Sequence, residues 1–599
     1  MDTKEFFYNR LQDYEEREKS KKRAFDKIAN FRLAIILIGA FVVISLYIRT
    51  NFKNAFLAFV FFLLLVILLI IKHYKTKKEL IRTRAMVEIN KRYLDRLNGD
   101  WINFKDCGMD FVEPSHPYTS DLDIFGPKSL FQWASIANTF YGRQNLQRVF
   151  TKPQKEIKAI KQRQEAVKEL ADKLEFCQNL QCEGLISNEV ANNPEDLIRY
   201  AEDNRGLFTN KWIKRLFYLS PLILLTSFVL YFTGSPIPIL FPITLMVLHL
   251  MIIFVGYRRT SPILNTVHDY VRSLEAFGKL LLLIEEEDVE SEYLLQLKEG
   301  IKINNTNASE VIKLLEKISS YIDIKYSPLV HFVQNIIFLW DYYWIFELEG
   351  WKKTYGMGIR RIFDTIGEFE AIASLAVIHQ INDEWIFPKF NEGGLSFHAA
   401  AMGHPLLNKD HCVCNSIDIR NNSSIITGSN MSGKTTFLRT IGINLVLAYG
   451  GGPVYAKELK TSLMDIFTSM RVSDDLNSGV STFYGELLRI KMIIDYSSKR
   501  IPMIYLIDEM FRGTNSKDRV IGARSVLKNL NKSWIIGLIS THDFELCDLE
   551  LDQNLNIQNY HFTENYSNNE IYFDYKLRRG RSSTTNAKYL MKMVGIHIE

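Results

Sequence analysis

The chain has 599 residues, which is too long for a single hydrophobic core and predicts roughly two to four domains. Its 73 basic and 68 acidic side chains leave a net charge of +5 at pH 7, which is too small to identify a nucleic-acid-binding protein by itself. Six cysteines without regular spacing argue against a disulfide framework and are typical of a reducing compartment. Cys412 and Cys414 have no second pair at zinc-ligand distance, which favours packing over metal binding.

Two apolar regions predict four membrane-spanning helices in two hairpins. Residues 33–48 and 54–71 are uncharged, with a short polar link between them. Residues 216–257 contain no Asp, Glu, Lys or Arg, and a glycine and two prolines at 234–238 divide them into two segments. Each segment lies at or just below the roughly 17 to 25 residues that a helix needs to cross about 30 Å of hydrocarbon. Buried core helices are the alternative, but soluble helices rarely lack a polar face for so long.

Basic residues flank the outer ends of both hairpins. They are Arg23, Lys27, Arg32, Lys72, Lys75, Lys77, Lys78, Lys211, Lys214, Arg215, Arg258 and Arg259. The positive-inside rule places these ends in the cytoplasm, so both turns become short external loops. We therefore expect a multi-pass protein of the cytoplasmic (inner) membrane, with the lipid bilayer as a partner and both termini cytoplasmic. The roughly thirty residues before the first span are rich in charged side chains, which argues against a cleaved signal peptide.

A phosphate-binding loop is predicted at Gly428–Thr435, which fits the pattern G-x-x-x-x-G-K-[ST] between a strand-like run and a helix-like run. Glycines let backbone N–H groups turn towards phosphates, Lys434 supplies a charge for the β and γ oxygens, and the Thr435 hydroxyl is a ligand for Mg²⁺. The predicted nucleotide-binding residues here are Gly428, Ser429, Asn430, Met431, Ser432, Gly433, Lys434, Thr435 and Thr436.

Two carboxylates follow a second apolar strand at 503–507, where a doubly wound sheet opens to ligand. Asp508 is predicted to hold Mg²⁺, and Glu509 to orient or deprotonate the attacking water. A third strand, 534–539, leads to His542, which is placed to sense the γ-phosphate. Lys434, Glu509 and His542 are thus the predicted catalytic residues. Each feature alone is common on protein surfaces, but together they predict an ATP site.

Further motifs follow the loop in an order that resembles one family. The loop lies within TGSNMSGKTTFLR at 427–439, with Ser429 and Ser432 where that family usually has Pro and Gly. The other matching segments are 404–407 (HPLL), 471–476 (RVSDDL), 481–486 (STFYGE), 508–514 (DEMFRGT), 541–545 (THDFE), 575–577 (YKL), Gly580 and 590–595 (LMKMVG). Residues from about 400 to 596 therefore resemble the MutS mismatch-repair ATPases, which belong to the ABC-type ATPases. Upstream, RQEAVKEL at 163–170 resembles the start of the MutS helical core.

The resemblance implies an α/β P-loop ATPase domain of the ABC/MutS type, C-terminal to a mostly α-helical core or lever. It also implies ATP and Mg²⁺ as cofactors and a head-to-tail homodimer. In such a dimer Ser481 and Thr482 of one protomer complete the ATP site of the other, and Gly513 and Thr514 lie at the same interface. From the residues alone, Ser481 and Thr482 are equally well explained as a helix cap.

With these assignments the chain divides into six segments. They are a cytoplasmic N-terminal helix (1–32), transmembrane hairpin 1 (33–71), a helical linker with the first half of the core (72–215), transmembrane hairpin 2 (216–257), the second half of the core or lever (258–400), and the MutS-type ATPase domain (401–599).

Mismatch recognition is not expected, because no Phe-x-Glu reader domain is found and the first hundred residues form the anchor. Residues 261–400 carry 12 basic and 21 acidic side chains, a balance that repels phosphates. The leading hypothesis is a membrane-anchored ATPase that couples ATP-driven dimerisation to movement of the lever and the membrane helices. Two alternatives stay open. One is a MutS-like ATPase that binds DNA near the membrane, and the other is an ABC-type transport ATPase.

Overall fold

A computed structural model shows a helical N-terminal part and a mixed α/β C-terminal part. The residues described are 2–186, 192–203, 205–206, 211–323, 327–429, 431–471, 482–512, 514–567 and 570–581. They form two compact units. The first comprises Met1–Leu94, Ile136–Asn145 and Lys173–Glu370, and the second comprises Asp95–Ser135, Leu146–Asp172 and Ala371–Glu599. The helical part and the mixed sheets agree with the predicted fold class at this level of detail.

The first unit is built from helices within the part of the chain that the structure describes. They are α1 (Thr3–Ile48), α2 (Phe52–Asn98, to Leu94), α6 (Leu174–Ile186), α7 (Glu195–Glu202), α8 (Lys211–Phe232), α9 (Leu240–His268), α10 (Val271–Glu286), α11 (Glu292–Gly300), α12 (Ala308–Ile322), α13 (Pro328–Phe338) and α14 (Trp340–Tyr355). Two further helices, α4 (Phe140–Thr151) and α15 (Ile359–Ile381), contribute residues to both units. The amphipathic α12 buries one face, which explains its regular apolar spacing.

Four of the described helices are long and apolar enough to cross a membrane, judged by length and composition. They are Thr3–Ile48, Phe52–Asn98, Trp212–Phe232 and Leu240–His268. Their apolar side chains are largely exposed, as for Phe41, Phe56 and Phe254. Helix α1 continues without interruption through the boundary expected at residue 32, so the charged N-terminal segment and the first apolar segment form one helix. A short turn at 49–51 joins it to α2.

A buried glutamate fixes the start of α4 in the first unit. The Glu370 carboxylate accepts hydrogen bonds from the backbone N–H groups of Asn138 and Thr139 and from the Thr139 hydroxyl. Thr139 directly precedes α4, and its N–H is one that a helix start leaves without an intrahelical partner. Gly142 lies against the same carboxylate, and a Cβ at this position would overlap it at 1.9 Å. Glu370 therefore acts as a distant cap for α4.

The second unit contains two sheets. The strands are β1 (Lys389–Phe390), β2 (Ser396–Met402), β3 (Asn415–Arg420), β4 (Ser423–Thr427), β5 (Glu458–Thr461), β6 (Asp465–Ser469), β7 (Met503–Asp508), β8 (Ile535–Thr541), β9 (Ile557–Ser567) and β10 (Glu570–Arg579). A four-stranded sheet has the order β1-β5-β2-β3, and a six-stranded sheet has the order β10-β9-β4-β8-β7-β6. All pairs in the larger sheet are parallel except β9 with β10. The described α-helices that lie wholly in the second unit are α3 (Leu130–Ala134), α5 (Ile157–Asp172), α16 (Lys434–Tyr449), α17 (Thr482–Ser497) and α18 (Ser516–Leu530).

Residues 95–135 belong to the second unit, although the largest part of that unit begins only at Ala371. Asp121 accepts hydrogen bonds from the Thr468 hydroxyl and from the backbone N–H groups of Met470 and Arg471. Asp123 forms ion pairs with Arg439, at 3.0 Å, and with Arg471. The compact units thus cut across the boundary expected at residue 400, because this early segment packs onto the sheet domain.

Candidate nucleotide site

Parallel pairing brings three predicted functional segments to one edge of the six-stranded sheet. Strand β4 pairs with β8 in the register Thr427↔Thr541, and β7 pairs with β8 in the register Asp508↔Ser540. The three strands are buried along nearly their whole length, as expected for parallel strands covered on both faces. Their carboxyl ends therefore lie side by side, where ligands bind in open α/β sheets.

The 428–435 loop joins β4 to α16, and its glycines are required by its backbone. Gly433 has φ = 101°, a conformation that favours glycine, and a Cβ there would lie 3.1 Å from the Tyr575 ring. A Cβ on Gly428 would lie 2.7 Å from the Ser432 hydroxyl oxygen. Helix α16 begins at Lys434, so the N–H groups of its first turn open towards the loop.

Lys434 is buried, and main-chain oxygens hold its ammonium group. Its Nζ donates hydrogen bonds to the carbonyl oxygens of Gly428, at 2.8 Å, and Ser429, at 2.9 Å. The Nε2 atom of His542 lies 3.1 Å away and a carboxylate oxygen of Glu509 lies 3.9 Å away. Burial lowers the pKa of Lys434 below its usual value, and the nearby carboxylates oppose that shift. The side chain is thus held at the loop and folded back on it.

Two oxygen groups meet where a divalent cation was predicted. The Thr435 hydroxyl donates to a carboxylate oxygen of Asp508 at 2.8 Å, and the Ser540 hydroxyl donates to the other oxygen. Asp508 is buried at the end of β7. Hydroxyl and carboxylate oxygens are the ligands that hard cations such as Mg²⁺ prefer. The structure therefore brings together the two predicted metal ligands, although they are far apart in the sequence.

Glu509 and His542 form a close pair beside Lys434. The distance between Nε2 of His542 and a carboxylate oxygen of Glu509 is 2.7 Å. This contact is the main cause that lowers the pKa of Glu509, so the group is a carboxylate at neutral pH. Glu509 has φ = 51°, a strained value for a residue other than glycine, and its N–H donates to the Ser540 carbonyl at 3.0 Å. Such strain is typical of functional positions.

Arg512 lies in the site, although its sequence motif predicts no role for it. Its guanidinium lies 2.9 Å from a carboxylate oxygen of Asp508 and 3.0 Å from one of Glu509, so it bridges the two acids. The side chain is about half exposed, whereas Asp508 is almost fully buried. Nearby, the buried Glu486 accepts a hydrogen bond from the Phe511 N–H and fixes the turn after β7. Glu486 and Arg512 lie within the 481–486 and 508–514 segments that resemble MutS, which is the sequence signal that could have indicated them.

The remaining predicted residues have varied positions. Ser432 is buried and, within the described residues, its hydroxyl has no hydrogen-bond partner. Met431 is exposed and has φ = 72°, and Thr436 lies in the first turn of α16. Asn430 and Ser481 lie outside the described residues, as does Gly513. Thr482 is the first residue of α17, and its side chain is not described. The dimer interface predicted around Ser481 thus stays a prediction.

A cavity of about 910 Å³ extends from the loop and offers space for a nucleotide. Its lining includes Ser429, Met431–Phe437, Glu509 and Arg512 on one side and Phe562, Tyr572, Phe573 and Tyr575 on another. Asn415 holds the segment around Tyr575 through hydrogen bonds to the Tyr575 carbonyl, at 2.9 Å, and from the Leu577 N–H, at 2.8 Å. The cavity therefore combines a phosphate-type loop with an aromatic wall.

Comparison with known proteins finds relatives of the C-terminal part of the chain. Residues 424–597 match the sequence profile of MutS domain V. Over these residues the chain is similar to the MutS family. Curated relatives include the DNA mismatch repair proteins MutS of Listeria welshimeri (30% identical over 266 residues), Lysinibacillus sphaericus (31% over 268) and Streptococcus agalactiae (28% over 254). These alignments cover 41–43% of this chain.

The chain spans only 29–30% of the length of these MutS relatives. The match to MutS domain V includes the 428–435 loop, the two carboxylates and His542. The resemblance to MutS proteins expected from the motifs between about 400 and 596 is thus confirmed for the part that matches MutS domain V.

Proposed function

We propose that this chain is a membrane-anchored ATPase that binds and hydrolyses Mg²⁺-ATP at its MutS domain V. The observation that carries the proposal is the meeting of Lys434, Thr435, Asp508, Glu509 and His542 at one edge of the sheet. The phosphates of ATP fit this loop for two reasons. The buried Ser432 hydroxyl has no hydrogen-bond partner among the described residues, and the N-terminus of α16 favours anions.

The residues divide the chemical tasks among them. Lys434 exchanges its main-chain carbonyl partners for the β and γ oxygens of ATP, as the loop folds around the phosphates. Thr435 and Asp508 would hold Mg²⁺, which would supply positive charge to neutralise the transferred phosphoryl group. Glu509 orients the attacking water and accepts its proton, and His542 holds Glu509 in place as a carboxylate. Tyr575 and the other aromatic residues of the cavity provide a stacking surface for the base.

The four long apolar helices are proposed to anchor the chain in a cytoplasmic membrane, with the ATP site on the cytoplasmic side. The resemblance further suggests a homodimer in which Ser481 and Thr482 of the partner complete the site. ATP binding would then close the dimer and shift the helical lever that contains the second hairpin. Flanking arginines and lysines support this topology.

DNA binding is the second candidate function, because the relatives are named DNA mismatch repair proteins. The acidic balance of residues 261–400 opposes it, since DNA binding depends on neutralising phosphates. The two candidates differ in one simple property, which is the response of ATP hydrolysis to duplex DNA.

The deciding experiment measures ATP hydrolysis by the detergent-solubilised full chain and its Lys434→Ala variant, with and without duplex DNA at two salt concentrations. We expect hydrolysis that requires Lys434 and does not respond to DNA. Hydrolysis that survives in the variant contradicts the assigned site. Stimulation by DNA that disappears at high salt favours the DNA-binding alternative.

A further inference from the structure

Helix α13 is apolar but too short to cross a membrane as a full span. The chain has no Asp, Glu, Lys or Arg from Ser327 to Trp340. The helix has 11 residues, or about 16 Å at 1.5 Å per residue, which is roughly half the hydrocarbon thickness. Its outer face is exposed and apolar, with Leu329 at 83% and Phe332 at 56% exposure. A soluble protein rarely presents such a contiguous apolar face to water.

The inner face of α13 is bonded to the second apolar hairpin. His249 of α9 is fully buried, and its Nδ1 lies 2.6 Å from the carbonyl oxygen of Ile336. Its other ring nitrogen meets the Ser220 hydroxyl of α8, so one imidazole joins three helices. His249 lies eight residues before Tyr257, the end of the uncharged stretch, which is about 12 Å along the helix. The Ile336 end of α13 therefore lies alongside the apolar part of the hairpin.

The turn after α13 satisfies several polar groups internally, as a turn surrounded by hydrocarbon must. Leu339 has φ = 52°, is buried, and donates its N–H to the Asn335 carbonyl at 2.9 Å. The side-chain oxygen of the buried Asn335 accepts the Asp341 N–H at 3.0 Å. The Asp341 carboxylate in turn lies 2.8 Å from the His331 ring. Ionisable residues within membranes are typically paired in this way.

Helix α14 then leads back along the base of the same hairpin. The Tyr342 hydroxyl donates to the Ile252 carbonyl at 2.9 Å, and the Phe217 ring packs against Tyr342 at 4.7 Å and against Phe346 at 5.7 Å. The first turns of α14 are rich in Trp and Tyr, which are enriched at membrane–water interfaces. The last turn carries two lysines. This order of residues suits a segment that returns to the cytoplasmic side.

We propose that α13 and the start of α14 form a re-entrant membrane element whose exposed face contacts lipid acyl chains. The face consists of Leu329, Val330, Phe332 and Val333. The inference rests on the proposed membrane anchoring, because α13 lies in lipid only if α8 and α9 do. Its specific content is a further membrane-embedded helix, inserted from the cytoplasmic side and linked to the second hairpin through His249.

The test is site-specific photocrosslinking of the full chain in phosphatidylethanolamine and phosphatidylglycerol vesicles. Variants carry p-benzoylphenylalanine at Leu329 or Phe332, with Phe254 on the exposed face of α9 as the span control and the exposed Met357 as the soluble control. Mass spectrometry after irradiation identifies lipid adducts and peptide adducts. Monodispersity in detergent before reconstitution checks that each variant is folded.

We expect lipid adducts at Leu329, Phe332 and Phe254 and none at Met357. Adducts at Phe254 without any at Leu329 or Phe332 overturn the re-entrant element and leave the anchoring intact. An absence of lipid adducts at all four positions overturns the anchoring as well. Crosslinks from Phe332 to a second copy of the chain, in place of lipid, would show that a protein interface covers this face. Adducts at Met357 equal to those at Phe332 also contradict the proposal.

Discussion

At the candidate nucleotide site, the buried Lys434 ammonium donates hydrogen bonds to main-chain carbonyls, and the buried Ser432 hydroxyl has no partner among the described residues. At the second apolar hairpin, the equally buried His249 has both ring nitrogens bonded to other helices. Both regions bury polar groups at a cost, but only the first leaves donors that a ligand can take up. We therefore expect substitutions at the first region to change catalysis, and those at the second to change stability.

The largest expected effect is on hydrolysis in the Glu509→Gln variant. Loss of the base should lower kcat by roughly 10²- to 10⁴-fold, because this is the usual contribution of general base catalysis. ATP binding should persist, since Lys434 and the loop are unchanged. Single-turnover hydrolysis and equilibrium nucleotide binding measure the two properties. The exposed Glu392→Gln is the control. A variant that loses binding to the same degree as hydrolysis would place Glu509 among the binding groups.

A pH effect on stability is expected from Glu370, which is buried and bonded within the helical unit. Burial raises the pKa of Glu370 to about 7, against its hydrogen bonds from Thr139 and Asn138, which lower it. Since the folded pKa lies above the unfolded value of 4.5, the stabilisation is complete below pH 4.5 and is lost as the pH rises through 7. The change amounts to about 3 kcal/mol at most.

Thermal unfolding between pH 4.5 and 8 measures this dependence in the full chain and in Glu370→Gln. We expect a flatter profile in the variant, because its amide does not titrate. The exposed Glu310→Gln should keep the original slope. Equal slopes in all three proteins would show that other groups cause the pH dependence.

A loss of stability without a loss of activity is expected for His249→Leu. The leucine keeps an apolar side chain of similar size but leaves the Ile336 carbonyl and the Ser220 hydroxyl without their bond. Each such loss costs about 1–3 kcal/mol. Unfolding in detergent and ATP hydrolysis are measured together, with Phe254→Ala on the exposed face of the same helix as the control. A fall in kcat at unchanged stability would contradict the expectation that the second hairpin contributes to stability and not to catalysis.

The contrast also explains which features the sequence could predict. The 428–435 loop follows β4, Asp508 ends β7 and His542 follows β8, and parallel pairing brings these strand ends together whatever lies between them in the chain. The overall division into a helical part and an α/β part could also be predicted, since apolar runs and the glycines, prolines and polar residues that end them are local signals. Positions set by local spacing could therefore be predicted.

Contacts between distant segments could not be predicted in this way. Asp121 and Asp123 meet Thr468 and Arg471 across about 350 residues, and no spacing in the sequence marks that pairing. Helix α13 is too short to satisfy a rule for full spans, and its contact with His249 depends on the packing of three helices. Both features arise from tertiary packing, which one sequence without its fold does not specify.

The smallest expected effect is that of Arg512, which lies in the candidate nucleotide site. Its side chain bridges Asp508 and Glu509 and is about half exposed. Its guanidinium occupies a carboxylate oxygen that Mg²⁺ would take, so Arg512→Ala should lower the Mg²⁺ concentration needed for half-maximal hydrolysis. The change should be roughly two- to fivefold, since partly exposed ion pairs contribute about 1 kcal/mol or less. Mg²⁺ titrations of hydrolysis measure it, with Arg519→Ala, whose partner is Asp543, as the control. A higher Mg²⁺ requirement in Arg512→Ala would mean that the guanidinium assists the bound phosphates.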